Sequence, residues 1–166
     1  MNAAAAMPHV TAPAQGVALY LHPRRRLLPL IFFSILFGFD EDDALALVED
    51  HKLAPAFNLA THASGRRNIR VWRGSVEQWS PGQSIGPRAK VDDVITAALP
   101  SLCVGSDATA SVCAIELARR FCLAPDTIAQ FLHVGELIEV GRHNSACESP
   151  RVSRSSVTAF LKRRVL

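Results

Sequence analysis

A Pro-containing break between two helical segments constrains this chain more than any other feature. Apolar residues recur with a helical period before the break, where Val112, Ile115, Leu117, Ala118 and Phe121 are expected to share one face. Pro125 suits the first position of a second helix, because its missing N–H would have no partner there. Asp126 then lies in the first turn, which favours negative charge, and Gly135 can take the left-handed conformation that ends a helix. The sequence therefore predicts a helix, a tight turn and a second helix.

The second predicted helix has two chemically different faces. Ile128, Phe131 and Leu132 are spaced to pack downwards, whereas Thr127, Gln130 and His133 project from the other side. Apolar residues on one face and small polar residues on the other are typical of a helix that reads the major groove of DNA. The residues that follow, up to Leu161, predict a two-stranded wing and a further helix.

These segments together resemble a known DNA-binding family. The stretch from Leu123 to Ile128, then Gly135-Glu-Leu-Ile138, Arg151-Val152 and Val157–Leu161, is similar to the winged helix-turn-helix of the excisionase and MerR superfamily. The resemblance implies sequence-specific binding of double-stranded DNA, in regulation of transcription or of site-specific recombination on a mobile element. The loop over 142–150 is longer than in the family, and no long dimerisation helix follows Leu166. We therefore expect the excisionase-like type rather than a ligand-sensing MerR regulator.

Residues of several kinds are expected to contact DNA in this unit. A Gln side chain can pair with adenine edges and a Thr can meet a thymine methyl group or a phosphate, while Arg residues on the wing suit phosphates or the minor groove. The expected set comprises Arg119, Arg120, Thr127, Gln130, His133, Arg142, His143, Asn144, Arg151 and Arg154. The expected recognition face carries no Arg or Lys.

An earlier part of the chain aligns with this unit. Arg70 to Trp79 aligns without gaps on Arg151 to Phe160, at an offset of 151 − 70 = 81, and Asp43 to Val48 aligns on Thr127 to Leu132, at 127 − 43 = 84. We interpret this as a degenerate second copy. Its would-be recognition helix opens with Asp40-Glu-Asp-Asp43, and those carboxylates would repel phosphates. This copy either binds protein or contacts DNA only through a basic wing, with Arg66, Arg67, Arg70 and Arg73.

The predicted fold is mainly α with small β wings, arranged as tandem winged helix-turn-helix units. The predicted division is a flexible segment over 1–26, a degenerate unit over 27–80, a linker with a short helix over 81–110 and the DNA-binding unit over 111–166. The apolar run from Leu27 to Phe39 is too short for a membrane span and predicts a core helix starting near Pro29. An organelle transit peptide is the alternative interpretation of the segment that ends at Phe39, because no acid precedes Asp40.

Composition narrows the functional classes. An apolar content of 49% and a charged content of 20% are typical of a globular chain, and a net charge of +3 does not by itself imply nucleic acid. The four cysteines match no zinc spacing, and no catalytic motif is present, so we expect no cofactor, no metal and no enzymatic activity. The expected partner is double-stranded DNA in the cytoplasm, at the nucleoid, without a membrane. A homo-oligomer along DNA, or a protein partner on the N-terminal unit, is left open. The rival hypothesis is a protein-interaction adaptor.

Overall fold

The computed structural model describes residues 22, 24–79, 90, 92–93, 110–141 and 149–166. The first half contains β1 (Leu27–Pro29), α1 (Leu30–Phe37), α2 (Glu41–Glu49), β2 (Ala56–Asn58), β3 (Ile69–Trp72) and α3 (Arg73–Gln78). The second half contains β4 (Ser111–Cys113), α4 (Ala114–Phe121), α5 (Pro125–His133), β5 (Arg151–Ser153) and α6 (Arg154–Arg163). Helices with small antiparallel sheets confirm the predicted fold class at that level. Whether the units are tandem winged helix-turn-helix domains, with the predicted boundaries, stays a prediction.

Both halves follow a path of strand, helix, helix, strand and helix, and the first half has the additional strand β2 between its second helix and β3. The second helices start at an offset of 125 − 41 = 84 and the last helices at an offset of 154 − 73 = 81, which are the two offsets of the sequence alignment. Strand pairing repeats in the same register, with Leu28 opposite Val71 in one sheet and Val112 opposite Val152 in the other. The described halves therefore repeat one backbone path.

The turns of the two halves also correspond. Gly38 and Cys122, related by the offset 122 − 38 = 84, both adopt the left-handed conformation after the first helix, with φ of 71° and 50°. His51 and Gly135, related by the same offset, do so after the second helix. Only one residue of each pair is glycine, the residue that adopts positive φ without a steric cost. The path is thus kept in both halves although the residue best suited to each turn is not.

Local sequence signals account for the helix limits. Asp40 caps α2 by accepting a hydrogen bond at Oδ1 from the Asp43 N–H at 2.7 Å, with further acids in the first turn. Pro125 opens α5 and Pro29 precedes α1, as the sequence predicts. The acidic run over 40–43 is therefore explained at least in part by helix capping.

Strand β4 is not predicted by the sequence. Its presence alters the set of residues expected on the apolar face of the first helix in the second half. Val112 lies in β4 rather than in a helix, and Ile115 is 40% exposed rather than buried. A strand of three residues is too short to show a periodicity in the sequence. Its partner β5 lies far along the chain, beyond two helices, so no neighbouring segment indicates the pairing. Within the described residues, the first strand of the predicted second wing is present only as a single bridge between Glu139 and Val152.

The two halves share their hydrophobic cores. Leu27, Phe57 and Leu59 of the first half are buried in the cluster formed by α4, α5 and α6. A second cluster lies under α1 and α2, where Trp79 packs edge-on against Phe33 at 5.1 Å between ring centroids. The sheet of order β1-β3-β2 continues into the end of the chain, because Phe57 pairs with Val165. The described halves therefore pack as one body.

Some sequence predictions fall outside the described residues. These are most of the N-terminal segment over 1–26, most of the linker and helix over 81–110, and the wing loop over 142–148. Among the helices of the described ranges, none has the length and apolar character needed to cross a bilayer.

Candidate nucleic-acid interface

Helix α5 presents one polar face. Ile128 and Phe131 are each only 1% exposed and anchor the helix in the core. Gln130 and His133 are exposed and Thr127 is half-buried, and their spacing of three positions places them along one side. The burial pattern confirms the predicted packing face, with the difference that Leu132 is half-buried. The polar face offers one amide, one imidazole and one hydroxyl to a ligand.

The adjacent arginines at the end of α4 point in different directions. Arg119 has a side chain that is 64% exposed, and its Nη1 lies 3.7 Å from Glu116 Oε2. The Arg120 side chain is only 8% exposed and its Nε lies 3.3 Å from Glu116 Oε1. Consecutive residues on a helix are about 100° apart, so one side chain turns outwards and the other inwards. Arg120 therefore has little surface for a phosphate, whereas Arg119 is accessible, and the predicted DNA contacts of both stay predictions.

The second wing is described up to Gly141 and again from residue 149 into β5. Arg142, His143 and Asn144 lie outside the described residues, so their predicted contacts stay predictions. Arg151 is half-buried, with Nε donating to Ser111 Oγ at 2.8 Å and Nη2 donating to the Ser111 carbonyl oxygen at 3.0 Å. Its guanidinium is thus bound to β4 and has a structural role, and the expected phosphate contact stays a prediction. Arg154 is half-buried at the start of α6 and is also engaged within the protein.

In the first half, Arg70 joins the two halves. Its Nε donates to the Phe121 carbonyl oxygen at 3.1 Å and its Nη2 to that of Cys122 at 2.9 Å. Burial lowers the pKa of Arg70 from its usual value, while nearby Cys122 raises it in partial compensation. The guanidinium therefore satisfies carbonyls at the end of α4, where a cation is favoured. This structural role accounts for Arg70 without DNA, and the predicted DNA contact stays a prediction.

The remaining arginines of the first wing are of two kinds, one held within the protein and two exposed to solvent. Arg73 is half-buried, with Nε 2.6 Å from Glu77 Oε1 and Nη1 donating to the His22 carbonyl oxygen at 3.1 Å. It therefore also has a structural role, and its predicted DNA contact stays a prediction. Arg66 and Arg67 are exposed, and Arg67 lies 3.5 Å from Glu49. Of the four arginines predicted for this wing, Arg66 and Arg67 are the two that a ligand can reach.

The helix equivalent to α5 carries the opposite charge. Glu41, Asp42 and Asp43 are exposed on α2, as are Glu49 and Asp50 at its end. On the corresponding surface of α5, Asp126 is exposed and His133 stands at the C-terminal end. A polyanion would therefore meet repulsion at α2 but not over most of α5.

A basic cleft that the sequence did not assign lies beside the end of α4. It has a volume of about 720 Å³ and is lined by His22, Arg24, Arg25 and Arg119, together with Cys122 and Leu123. Burial raises the pKa of the Cys122 thiol, and the nearby cations Arg25 and Arg70 oppose that rise. The basic run from His22 to Arg26 was the available signal, but nothing in the sequence places it next to Arg119.

No protein-family model, no curated protein and no solved structure matches this chain.

Proposed function

We propose that the second half of the chain binds double-stranded DNA in a sequence-specific manner, with α5 in the major groove. The observation that carries this proposal is the exposed polar face of α5. Helix α5 follows a tight turn, and the side opposite the polar face is anchored in the core by Ile128 and Phe131. A recognition helix needs both properties, because it must be rigid in its own domain and must present side chains to base edges.

The chemistry of that face supports a role in base recognition. Gln130 can donate and accept hydrogen bonds with adenine N7 and N6, and Thr127 can contact a thymine methyl group. Arg119 is exposed just before the turn and is a candidate for a phosphate. The acidic surface of α2 favours one DNA-reading helix per chain rather than two. The resemblance to excisionases suggests regulation of transcription or of site-specific recombination on a mobile element.

Selection from a pool of random duplex DNA tests this proposal. We expect one sequence to be enriched, and we expect Gln130→Ala to weaken binding to that sequence by about 5- to 150-fold, which corresponds to about 1–3 kcal/mol for a bidentate base contact. Binding to unrelated DNA should change little. Gln78→Ala is the matched control, since Gln78 is also an exposed glutamine near a helix end. The proposal fails if no sequence is enriched, or if both variants behave alike.

A second candidate is a protein-interaction adaptor, favoured by an apolar surface on α1. Ile31 is 53% exposed and Ile35 is 65% exposed, and they stand one helical turn apart. The neighbouring α2 is acidic, so a partner would combine apolar and basic side chains. Ile35→Asp should abolish such an association without changing binding to DNA. Unchanged association in that variant would remove the support for the adaptor.

A further inference from the structure

The segment that precedes β1 is fixed to the end of α4 by hydrogen bonds. The Arg26 N–H donates to the Arg120 carbonyl oxygen at 2.9 Å, and the Arg25 N–H closes a turn onto the His22 carbonyl oxygen, also at 2.9 Å. That same carbonyl oxygen accepts a hydrogen bond from Arg73 Nη1 at 3.1 Å. The backbone of this segment is therefore held beside the end of α4, and its residues His22, Arg24 and Arg25 line the basic cleft together with Arg119.

The charge of the cleft is one-sided. His22 and Arg24 are exposed, Arg25 is half-buried and Arg119 is 64% exposed at the side chain. Of the described residues that line the cleft, none is acidic. Glu116 lies 3.7 Å from Arg119 but also contacts Arg120, so its charge is shared between two guanidinium groups. Cations arranged around a concave surface concentrate positive potential there and attract anions.

We propose that this cleft binds a phosphate group through Arg24 and Arg119. Guanidinium groups bind phosphate oxygens with paired, charge-assisted hydrogen bonds, and Arg24 and Arg119 both line this one cleft. The cleft also has space for a phosphate, since its volume of about 720 Å³ is that of a ligand pocket.

The phosphate has two chemical sources. It is either a phosphodiester of a DNA backbone or the phosphate of a free small molecule. Position favours DNA, because the cleft-lining residues Arg119 and Leu123 lie at the end of α4 and in the turn that leads to the exposed start of α5 at Pro125. A duplex lying against that end of α5 would pass next to the cleft. In that case the inference rests on the proposed function and extends the DNA footprint to a segment of the first half.

The test compares two variants that each remove two positive charges. Arg24→Gln with Arg119→Gln removes exposed cations of the cleft. Lys52→Gln with Lys90→Gln is the matched control, because both lysines are exposed and neither is among the lining residues. One measurement is calorimetric titration with pyrophosphate at low salt. The other is the salt dependence of binding to a duplex, followed by fluorescence anisotropy. Circular dichroism checks that both variants stay folded.

The two measurements separate the sources. If the ligand is a DNA phosphodiester, the salt slope of the cleft variant should be smaller by about 0.9, the value for one phosphate, and that of the control unchanged. If the ligand is a free phosphate, the wild type and the control bind pyrophosphate and the cleft variant does not. The inference is overturned if the wild type binds neither ligand, or if cleft and control variants behave alike. Pyrophosphate binding without duplex binding would refute the proposed function but not the cleft.

Discussion

Replacing Arg164 by Ala should destabilise the whole protein, because this side chain holds the two halves together. Its Nη2 lies 2.6 Å from Glu136 Oε2, and its Nη1 donates to the carbonyl oxygens of Asn58 and Ala60. The guanidinium carbon also lies 4.7 Å from the centroid of the Phe160 ring. The Arg164 side chain therefore contacts β2 and the residues after it, the end of α5 and the last helix.

The expected loss of stability follows from the burial of the ion pair between Arg164 and Glu136. The side chains of Arg164 and Glu136 are 16% and 15% exposed, so removing the arginine leaves a carboxylate that water reaches poorly. His62 Nε2 lies 2.9 Å from the other carboxylate oxygen, but His62 is largely exposed and compensates weakly. Breaking one partner of a buried ion pair typically costs about 3–5 kcal/mol. We expect a loss in this range for Arg164→Ala.

Urea denaturation followed by circular dichroism measures that loss. Glu136→Gln and the double variant complete a cycle, and we expect a coupling free energy of about 1–3 kcal/mol between the two side chains. Arg163→Ala is the control, because that neighbouring arginine is exposed and should change the free energy of unfolding by less than about 0.5 kcal/mol. A loss below about 1 kcal/mol for Arg164→Ala would refute the reasoning, since it lies well under the cost of breaking a buried pair.

Further predictions concern the backbone and the pH dependence of stability. Gly135→Ala should cost about 1 kcal/mol, since its φ of 76° is left-handed and an added Cβ would meet no atom within 4 Å. His51→Gly, at the equivalent left-handed turn, should raise the free energy of unfolding by up to about 1 kcal/mol. Thermal denaturation of both variants measures the two effects. Changes of the same sign in the two variants would contradict this account. Burial raises the pKa of Cys122 above its usual value near 9.0, although Arg25 and Arg70 oppose the rise. The folded state thus favours the protonated thiol, and this stabilisation is present below pH 9 and lost as the pH rises further. The free energy of unfolding should fall more steeply above pH 9 in the wild type than in Cys122→Ala, and parallel pH profiles would rule out this role of the thiol.

Features encoded within a few residues were predictable. The capping of α2 by Asp40, the start of α5 at Pro125 and the left-handed Gly135 each depend on local backbone chemistry, and each is present in the structure. The offsets of 84 and 81 were also readable, because turns and apolar positions survive in both halves. The split between Arg119 and Arg120 could have been foreseen from the helical angle between adjacent residues.

Features that depend on distant contacts were not predictable. Arg70 reads as a wing residue in the sequence, yet its acceptors are the carbonyls of Phe121 and Cys122, far along the chain in the other half. Nothing near Arg164 in the sequence points to Asn58 or to Glu136. An arginine has the same local signature whether it binds a phosphate or a carbonyl, so only the packed structure separates the two roles.

The central claim is that α5, and not the acidic α2, meets DNA. The most direct measurement is the change in backbone amide chemical shifts of the isotope-labelled protein on titration with the selected duplex. We predict shifts and broadening along α5 around Thr127 and Gln130, with the amides of α2 unchanged. Shifts confined to α1 and α2, or a duplex that binds without perturbing α5, would contradict the account.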